Sequence, residues 1–467
     1  MKCWNVLEHG AIPDGRTKNT AAIANAIEAC ASAGGGRVLF PPGQYLTGPI
    51  HLRSNIDLHV ERGATILFSR DYEDYPLVHT NYEGEEAVRA ISPLWGQELT
   101  NISITGDGTF DGQGEAWRPV KKFKMTEKEW KQLVASGGVV DEEYGIWWPT
   151  KAAMEGRELV QALRQKNGPV NLEDYLPARD YLRPNMVKLT NCRQVLLDGP
   201  TFRNSAAWNV HLLMCEQVTV RNVTIINPWY AANGDALDIE SCRNVTVSDS
   251  HFDCGDDGIC IKSGRDEAGR RRGRPSENIA ITNCVVLRAH GGVTIGSEMS
   301  GGVRNIAVTN CIFDGTDIGI RFKTTRGRGG VVDNIEMSNI AMRNIRHEAI
   351  SLNMYYFVRD PQPEPVSERT PCFRGISLRN ITCQGAGRAI EIRGLPEMPI
   401  ERIVLQNIDI SARRGALIAD ARDVRLEGVR LAVEESPVLE CHNVSNLCTS
   451  DLGGSCPVEQ VSDCGNL

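Results

Sequence analysis

The sequence RNVTV at residues 243–247 recurs in similar form as ENIAI at 277–281 and as RNIAV at 304–308. Each copy places a polar residue before apolar residues that alternate with polar ones. Alternation of this kind predicts a half-buried β-strand. Further copies share the pattern: NISI at 101, RQVLL at 193, EQVTV at 216, DNIEM at 333, RGISL at 374 and ERIVL at 401. The chain is therefore built from an internal repeat.

The spacing of the copies predicts how the strands are joined. Counted from Val195, the steps between equivalent apolar residues are 23, 27, 34, 27, 29, 41 and 27. Helical crossovers do not fit between strands so short and evenly spaced, and two-residue hairpin turns are rare between them. We therefore expect an all-β fold, a single right-handed parallel β-helix over residues 1–467, with loops inserted in the longer steps. Asparagines at the turns are expected to bond backbone groups along the stack.

Two segments depart from the repeat. The sequence NTAAIANAIEACASAGGG at residues 19–36 has apolar residues at helical spacing and a glycine stop, which predicts a helix that caps the first coil. Residues 118–182 form a 65-residue insertion that holds two charged helical stretches and the aromatic segment YGIWWP. Insertions in a solenoid fall on one face, and this one is expected to border the functional site.

Composition excludes several classes of protein. Hydrophobic content of 41% and charged content of 24% are typical of a soluble globular protein, and no apolar run approaches the roughly 20 residues of a membrane span. A net charge of −8 argues against nucleic acid as a partner. The N-terminal sequence lacks the apolar core of a secretory signal, so a cytoplasmic protein is expected, with a secreted or periplasmic protein whose signal was removed as the alternative. The sequence does not give an oligomeric state.

Cysteine usage points to the same compartment. The chain has fifteen cysteines without an evident paired framework. Several recur in the repeat itself, as TNC at Cys192, Cys284 and Cys311, and these are expected to be buried thiols in a reducing compartment. The spacing of four further cysteines, at positions 441, 448, 456 and 464, does not fit a zinc site.

The sequence CGDDGICIKSG at 254–264 places two aspartates side by side in an apolar run. Repulsion and desolvation both oppose this arrangement, so the pair either faces solvent in a turn or is kept for chemistry. The flanking glycines allow a turn that brings Asp256 and Asp257 to the outer surface. Asp235 precedes Asp256 by 21 residues, about one coil, and coils stack about 4.8 Å apart. Three carboxylates are thus predicted to cluster, one protonated and another ionised, as glycoside hydrolysis requires.

Later coils add an imidazole and two cations. His290 lies in AHGG, and Arg321 and Lys323 lie in IRFK, where positions i and i+2 of a strand face the same side. The guanidinium fork of arginine suits a carboxylate ligand, and lysine adds a point charge. Taken singly, the histidine is explained as a structural hydrogen-bonder and the two cations as part of a solvated strand. Because the acids, the histidine and the two cations occur on successive coils, we expect them to form a single functional site.

These elements resemble, in their order, the motifs of the polygalacturonases, glycoside hydrolase family 28, and specifically of exo-acting bacterial members. The family pattern N-x-D, G-D-D, G-H-G and R-x-K is matched by Asn233–Asp235, Gly255–Asp257, His290–Gly291 and Arg321–Lys323. The stretches GTFDGQGEAW at 108–117 and NSAAWNVH at 204–211 also match, and the resemblance covers about residues 5–430. One departure is alanine in place of the glycine before the histidine.

The resemblance implies a role for each acidic residue. Asp256 would be the general acid, and Asp235 and Asp257 would position and deprotonate the attacking water, with inversion at the anomeric carbon. His290 would hydrogen-bond near the acid and tune its protonation.

The resemblance also implies a substrate and its contacts. Arg321 and Lys323 would bind the carboxylate of a galacturonate at the cleaved bond, and Asn233 and Tyr355 would contact sugar, although Tyr355 is also explained as an ordinary surface aromatic. The substrate would be a pectic oligo- or polysaccharide joined by α-1,4 linkages. No cofactor and no metal is implied.

The mode of action follows from what surrounds the groove. The insertion at 118–182 and the loop GRDEAGRRRGR at 264–274 would close one end and leave a pocket, which predicts release from the non-reducing end. Arginines 270–272 would gather anionic uronates, or simply form a solvated loop. The alternatives are a rhamnogalacturonan-directed hydrolase of the same family, a calcium-dependent β-helix pectate lyase with an unsaturated, ultraviolet-absorbing product, and a non-catalytic carbohydrate-binding β-helix.

Overall fold

The computed structural model describes residues 2–166, 168–358 and 362–454. These residues form two units. The first contains the described residues up to Tyr82, Glu86–Asp238 and Asp253–Asp256. The second contains Glu83–Glu85, Ile239–Phe252 and the described residues from Asp257 onward. The prediction of a single domain over the whole chain stays a prediction.

The first unit is a stack of coils in which each strand pairs in parallel with the equivalent strand of the next coil. The first row consists of Ile50–His51, Leu94–Gln97, Val187–Thr190 and Val210–Leu213. The second row consists of Cys3–Asn5, Gly36–Phe40, Ile56–Val60, Thr100–Thr105, Arg193–Asp198 and Glu216–Arg221. The third row consists of Asp14–Lys18, Gly43–Thr47, Ala64–Phe68, Thr109–Asp111, Thr201–Arg203 and Thr224–Ile226. Apolar side chains fill the interior between the three rows.

The second unit continues the same pattern with longer strands. Its strands are Arg243–Ser248, Ile259–Lys262, Ser276–Thr282, Val285–Leu287, Gly291–Gly296, Val303–Asp314, Ile318–Lys323, Val331–Asn353, Cys372–Arg393, Ile400–Ser450 and Gly453–Gly454. The strands Leu237–Glu240 and His251–Asp253 each include residues of both units. The strands Val331–Asn353 and Cys372–Arg393 run through the corners of a coil, since they pair with each other over most of their length.

Residues at equivalent positions of the sequence repeat pair with each other in the sheets. Val195 pairs with Val218 in the first unit. In the second unit, the series Val245, Ile279, Ile306, Ile335, Ile376 and Ile403 pairs step by step. The apolar residues that align in the sequence are therefore stacked in the core. The two longest steps contain loops, as predicted, and the first of these loops includes the helix Asp266–Arg272.

Asparagine ladders fix the turns of the second unit. Asn244, Asn278, Asn305 and Asn334 occupy equivalent corners, each with a φ between 56° and 58°. Asparagine adopts this left-handed conformation more readily than other non-glycine residues. Each amide donates to the amide oxygen of the preceding asparagine, over 2.9–3.1 Å. These side chains therefore bond each other, whereas the sequence analysis expected bonds to the backbone.

Helices cover one end of the first unit and fill its insertion. Helix α1 (Thr20–Ser32) forms where the capping helix was predicted and buries Ile23 and Ile27. Helices α2 (Glu127–Ala135) and α3 (Lys151–Gln165) form within the insertion, beside a small antiparallel sheet of Val120–Lys121, Ile146–Trp148 and Val139–Asp141. The helix of the second unit is α4 (Asp266–Arg272). Short 3₁₀ helices lie at Val6–His9, Tyr72–Asp74, Gly114–Ala116, Lys122–Lys124 and Leu172–Tyr181.

A β-hairpin of Leu77–Tyr82 and Glu85–Ala90 stands on the first unit. Its inner residues Leu77 and Val88 share a small core with Val160 and Leu182 of the insertion. Trp117 completes this core and lies edge-on to Tyr75, with ring centroids 5.4 Å apart. The insertion therefore supports the hairpin from behind.

The described cysteines are thiols, and eleven of the thirteen are buried. They include Cys192, Cys284 and Cys311 of the repeat, as predicted. The cysteines at 456 and 464 lie outside the described residues. None of the helices formed by the described residues has the length and apolar character needed to cross a bilayer.

Candidate active site

Two of the predicted acids meet in the first unit. A carboxylate oxygen of Asp235 lies within 4.8 Å of one of Asp256. The Asp235 side chain is buried, and its backbone carbonyl accepts a hydrogen bond of 2.8 Å from the backbone N–H of Asn209 on the preceding coil. Two carboxylates this close disfavour double ionisation, because each negative charge opposes the other. The pair is therefore suited to hold one proton.

A close backbone contact explains the glycine before the paired aspartates. A Cβ atom on Gly255 would lie 2.4 Å from the carbonyl oxygen of Trp229, so no other residue fits without movement. The carbonyl groups of Trp229 and Gly255 both accept hydrogen bonds of 3.3 Å from Lys124 Nζ. Lys124 belongs to the insertion 118–182. Within the first unit, the insertion thus reaches the loop that carries Asp256.

Asn233 is held by an arginine that the sequence analysis did not single out. The Oδ1 atom of Asn233 accepts a hydrogen bond of 2.9 Å from Arg183. The same guanidinium donates to the carbonyl groups of Ala206 and Ala232 at 2.8 and 2.9 Å. Arg183 therefore fixes the turn that leads into Asp235. No repeat or motif marks this arginine, since it lies just outside the regular strands.

Asp257, the next residue after Asp256 in the chain, is enclosed in the second unit by donors. Its side chain is 1% exposed and bonds Lys323 Nζ at 2.7 Å and Arg321 Nη1 at 3.2 Å. The hydroxyl of Thr294 donates a third bond of 3.0 Å. Strand register explains the convergence, because Thr294 pairs with Arg321 on the next coil and Lys323 lies two residues further along that strand.

These cations decide the charge of Asp257. Burial alone would raise the pKa of its carboxyl group, but Lys323, Arg321 and Lys262 lower it, and the net shift is strongly downward. For Lys323, burial lowers the pKa, Asp257 raises it, and the net shift is upward. Asp257 is therefore an ionised carboxylate near neutral pH and is not the proton donor.

A second buried ion pair lies beside this group. Lys262 Nζ bonds the carboxylate of Glu298 at 3.0 Å, and both side chains are largely buried. Burial would raise the pKa of Glu298, but Lys262 and Lys323 lower it more. The sequence analysis missed Lys262 and Glu298. The available signal was Lys262 itself, which ends the apolar run ICIK. A buried strand rarely carries a cation without an acidic partner, so a buried acid was to be expected nearby.

His290 lies in the second unit beside an acid. Its Nε2 atom is 3.6 Å from a carboxylate oxygen of Asp317, and a third of its side chain is exposed. Asp317 also pairs with Arg346 at 3.2 Å. The predicted role of His290 in tuning the acid stays a prediction.

Two adjacent tyrosines of the second unit lie over different pairs of cations. The ring of Tyr356 lies 5.1 Å from Lys323 Nζ and 5.7 Å from the guanidinium carbon of Arg321. The ring of Tyr355, the residue selected from the sequence, lies between Arg326 at 5.6 Å and Arg393 at 5.2 Å. Tyr356 was missed because sequence spacing alone does not separate neighbouring residues in a loop.

The chemistry of these residues defines a class of protein. A close carboxylate pair that holds one proton offers an acid and a base, the two groups that acid–base cleavage of a glycosidic bond requires. The residues, carried on a parallel β-helix, are those of a glycoside hydrolase.

Comparisons with known proteins identify the family. Residues 178–445 match the profile of glycosyl hydrolases family 28, and residues 3–129 match that of rhamnogalacturonase A/epimerase, pectate lyase-like proteins. The chain belongs to glycosyl hydrolases family 28.

Three similar proteins carry names from this family. The crystal structure of a hyperthermoactive exopolygalacturonase from Thermotoga maritima has 34% identity and a TM-score of 0.73, covering 90% of this chain and 87% of that one. An exo-poly-alpha-D-galacturonosidase from Dickeya chrysanthemi is 28% identical, over 90% of this chain and 69% of its own. A probable polygalacturonase from Vitis vinifera is 27% identical, over 93% of this chain and 79% of its own. The predicted family and the right-handed parallel β-helix are confirmed.

Proposed function

We propose that this protein hydrolyses α-1,4 linkages between galacturonate residues of pectic chains and acts from the non-reducing end. Family membership supports a glycoside hydrolase, and exo-acting proteins are among the similar ones. The observation that carries the mechanism is the proximity of Asp235 and Asp256, within 4.8 Å, next in sequence to an ionised Asp257.

In the proposed mechanism, Asp256 is the general acid. Repulsion from Asp235 favours the protonated form of one of the two carboxyl groups. That proton passes from Asp256 to the glycosidic oxygen as the bond to the anomeric carbon breaks. Asp257 and Asp235 position a water molecule, whose oxygen attacks the anomeric carbon from the opposite face. Because Lys323 and Arg321 keep Asp257 ionised, it can accept a hydrogen bond from this water, but the same cations make it a weak base and leave Asp235 to take the proton.

The substrate carboxylate would contact the same cations. Arg321 and Tyr356 remain partly exposed in the second unit, while Lys323 is 7% exposed and paired with Asp257. Arg321 is accordingly the stronger candidate for direct contact, with Lys323 acting mainly on Asp257. A rhamnogalacturonan-directed hydrolase is the second candidate, since the N-terminal part of the chain matches a profile that names rhamnogalacturonase A.

Product analysis tests the proposal. Purified protein is incubated with polygalacturonate and, separately, with rhamnogalacturonan, and early products are separated by ion-exchange chromatography. We expect saturated mono- or digalacturonate from the first substrate and no ladder of intermediate oligomers. A ladder of intermediate oligomers would show endo action, and an ultraviolet-absorbing product would show a lyase. Activity on rhamnogalacturonan alone would show a rhamnogalacturonan-directed hydrolase. Asp256→Asn, which keeps the side-chain volume, should lose activity by several orders of magnitude.

The stereochemistry of the product is a separate test. Inverting enzymes usually separate their two carboxyl groups by about 6.5–9.5 Å. Asp235 and Asp256 are closer than that, within 4.8 Å. We therefore expect the water to be held by Asp257 with Asp235 rather than in line between the close pair. Proton NMR of the first product should show the β-anomer, and an α-anomer, the product of a double displacement, would contradict direct attack by water on the substrate.

A further inference from the structure

A cavity of about 260 Å³ lies in the first unit, and none of its described lining residues is a site residue that the family resemblance selects. One wall is the hairpin, with Tyr82 and Arg89, and the floor is formed by the strands Leu94–Gln97 and Val187–Thr190. None of its described lining residues belongs to the insertion 118–182, which supports the hairpin from behind instead. Its volume lies near the lower end of ligand pockets, about 300 Å³, so it suits a single small ring rather than an oligomer.

The charge of the cavity is one-sided. Arg89 and Lys188 line it, and none of its described lining residues is aspartate or glutamate. Lys188 is 8% exposed and donates to the backbone carbonyl of Asn81. The guanidinium of Arg89 lies flat against the ring of Tyr82, with its carbon 3.7 Å from the ring centroid, and donates to the carbonyl of Arg183. A cavity lined by two cations, with no acidic residue among its described lining residues, favours an anionic ligand.

The floor of the cavity offers an aromatic surface for a sugar ring. The ring of Trp95 is stacked on His51 at 3.6 Å with an interplanar angle of 3°, and Trp95 lines the cavity. Burial and then Arg53 lower the pKa of His51 to about 4, so this imidazole is neutral near pH 7 and adds no competing cation. Aromatic faces bind the apolar faces of sugar rings and fix their orientation.

A buried amide in the cavity has one atom without a partner. Asn185 is 4% exposed, and its Nδ2 donates to Nδ1 of His211 at 3.1 Å. Its Oδ1 accepts no hydrogen bond from any described residue. Leaving such an acceptor unpaired costs about 1–3 kcal/mol, which a ligand hydroxyl would recover.

The cavity is also in line with Asp235. Lys188 pairs with His211 on the next coil, and Asn209 on that coil bonds the carbonyl of Asp235 on the one after. Two coil spacings of about 4.8 Å separate the cavity floor from the segment of Asp235. One or two sugar units span such a distance.

We propose that this cavity binds the uronate at the non-reducing end of the substrate, with Lys188 and Arg89 holding its carboxylate and Asn185 Oδ1 accepting a ring hydroxyl. The proposal rests on the proposed function and adds the feature that selects the chain end. The hairpin 77–90, rather than the insertion, would then be the element that closes the groove.

The test compares two substrates that differ in one group. One is tetragalacturonate, and the other is the same oligomer with galactose in place of the terminal galacturonate. A hydrogen bond to a charged group contributes about 1.5–3 kcal/mol, so the wild type should prefer the acidic terminus about 10- to 100-fold in kcat/KM. Lys188→Met should reduce the preference to about threefold or less by slowing the acidic substrate alone. Lys188→Arg should retain most of it.

Controls separate this proposal from loss of folding. Lys151→Met makes the same change at a lysine 71% exposed on α3 and should leave the preference unchanged. Circular dichroism and thermal unfolding establish that each variant is folded, and Arg89→Gln replaces Lys188→Met if the latter is not. An unchanged preference in folded variants, or no preference in the wild type, would overturn the proposal while hydrolysis itself stands.

A binding measurement covers the case in which galacturonan is not cleaved. Free galacturonate and free galactose are titrated into the wild type and into Lys188→Met by calorimetry. Binding of galacturonate that Lys188→Met weakens at least tenfold would support the cavity even if the proposed hydrolysis failed. Equal binding to both proteins, or none to either, would reject it.

Discussion

At the scale of single residues, Asp257 and Lys323 depend on each other. Both side chains are less than a tenth exposed, at 1% and 8%. Asp257→Asn removes the carboxylate that bonds the buried lysine, which costs about 3–5 kcal/mol of folding free energy. We expect this loss in urea unfolding, together with loss of activity. Asp107→Asn breaks a pair in which both partners are more than half exposed, and should cost less than about 1 kcal/mol.

The same pair gives the stability a pH dependence of known sign. The folded protein lowers the pKa of Asp257 below the unfolded value of about 3.9. Its contribution is therefore complete above that value and is lost as the pH falls through the folded pKa. The stability difference between wild type and Asp257→Asn should be constant above about pH 5 and shrink below about pH 4. A difference that grows on acidification would contradict an ionised Asp257.

The two neighbouring tyrosines predict different kinetic effects. Tyr356 lies over Arg321 and Lys323, so Tyr356→Ala should lower kcat/KM about tenfold for oligomers of every length. Tyr355 lies against Arg393. Lys323 pairs with Asn353 on the next coil, and Asn353 pairs with Arg393 on the coil after that, so Tyr355 lies two coils beyond Lys323. Tyr355→Ala should therefore affect long oligomers and leave digalacturonate unchanged. Both effects are measured as kcat/KM on oligomers of two to six units. If Tyr355→Ala lowered kcat/KM for digalacturonate more than Tyr356→Ala does, Tyr355 would be the sugar-contacting tyrosine, as the sequence analysis expected.

At the scale of elements, α4 shows that an arginine cluster can be structural. Arg272 bonds Glu240, whose side chain is fully buried, at 2.6 Å. Arg270 donates to the carbonyl groups of Gly327 and Arg328 at 2.6 and 3.1 Å. Arg271, by contrast, is exposed. The sequence analysis treated the three alike, as collectors of uronate or as part of a solvated loop, but their contacts differ.

Single substitutions in α4 separate the two explanations. Arg272→Ser should destabilise the protein by about 3–5 kcal/mol, because it removes a charge partner of the fully buried Glu240. Arg271→Ser should leave stability within about 0.5 kcal/mol and raise KM for polygalacturonate by no more than about fivefold. Thermal unfolding and steady-state kinetics on the same preparations measure both. A stable Arg272→Ser protein with a much higher KM would favour collection of substrate by the whole loop.

The elements also show what a sequence can predict. A strand repeat fixes both period and phase, so Val245, Ile279 and Ile306 align in the sheet as they align in the sequence. The position of Asp235 beside Asp256 follows from the same period. Contacts made by inserted segments carry no period, and therefore neither the hairpin that lines the cavity nor Arg183 behind Asn233 was anticipated. The charge partners Lys262 and Glu298 were missed because they lie 36 residues apart in sequence.

At the scale of the whole molecule, both enzyme and substrate carry negative charge at neutral pH. The net charge of the chain is −8 at pH 7, and its isoelectric point is about 5.7. Long-range repulsion slows the encounter with a polyanion, and salt screens it, since the Debye length falls from about 30 Å at 0.01 M to about 10 Å at 0.1 M. Raising NaCl over this range at pH 7 should therefore increase kcat/KM for polygalacturonate.

The sign of this salt effect should reverse across the isoelectric point. At pH 5 the protein carries net positive charge while galacturonan remains anionic, so screening removes an attraction and the same salt should lower kcat/KM. Digalacturonate, with two charges, should respond much less at either pH. Salt that slows the reaction at both pH values would mean that the cations at Arg321 and in the cavity govern the encounter, because their local field is attractive whatever the total charge.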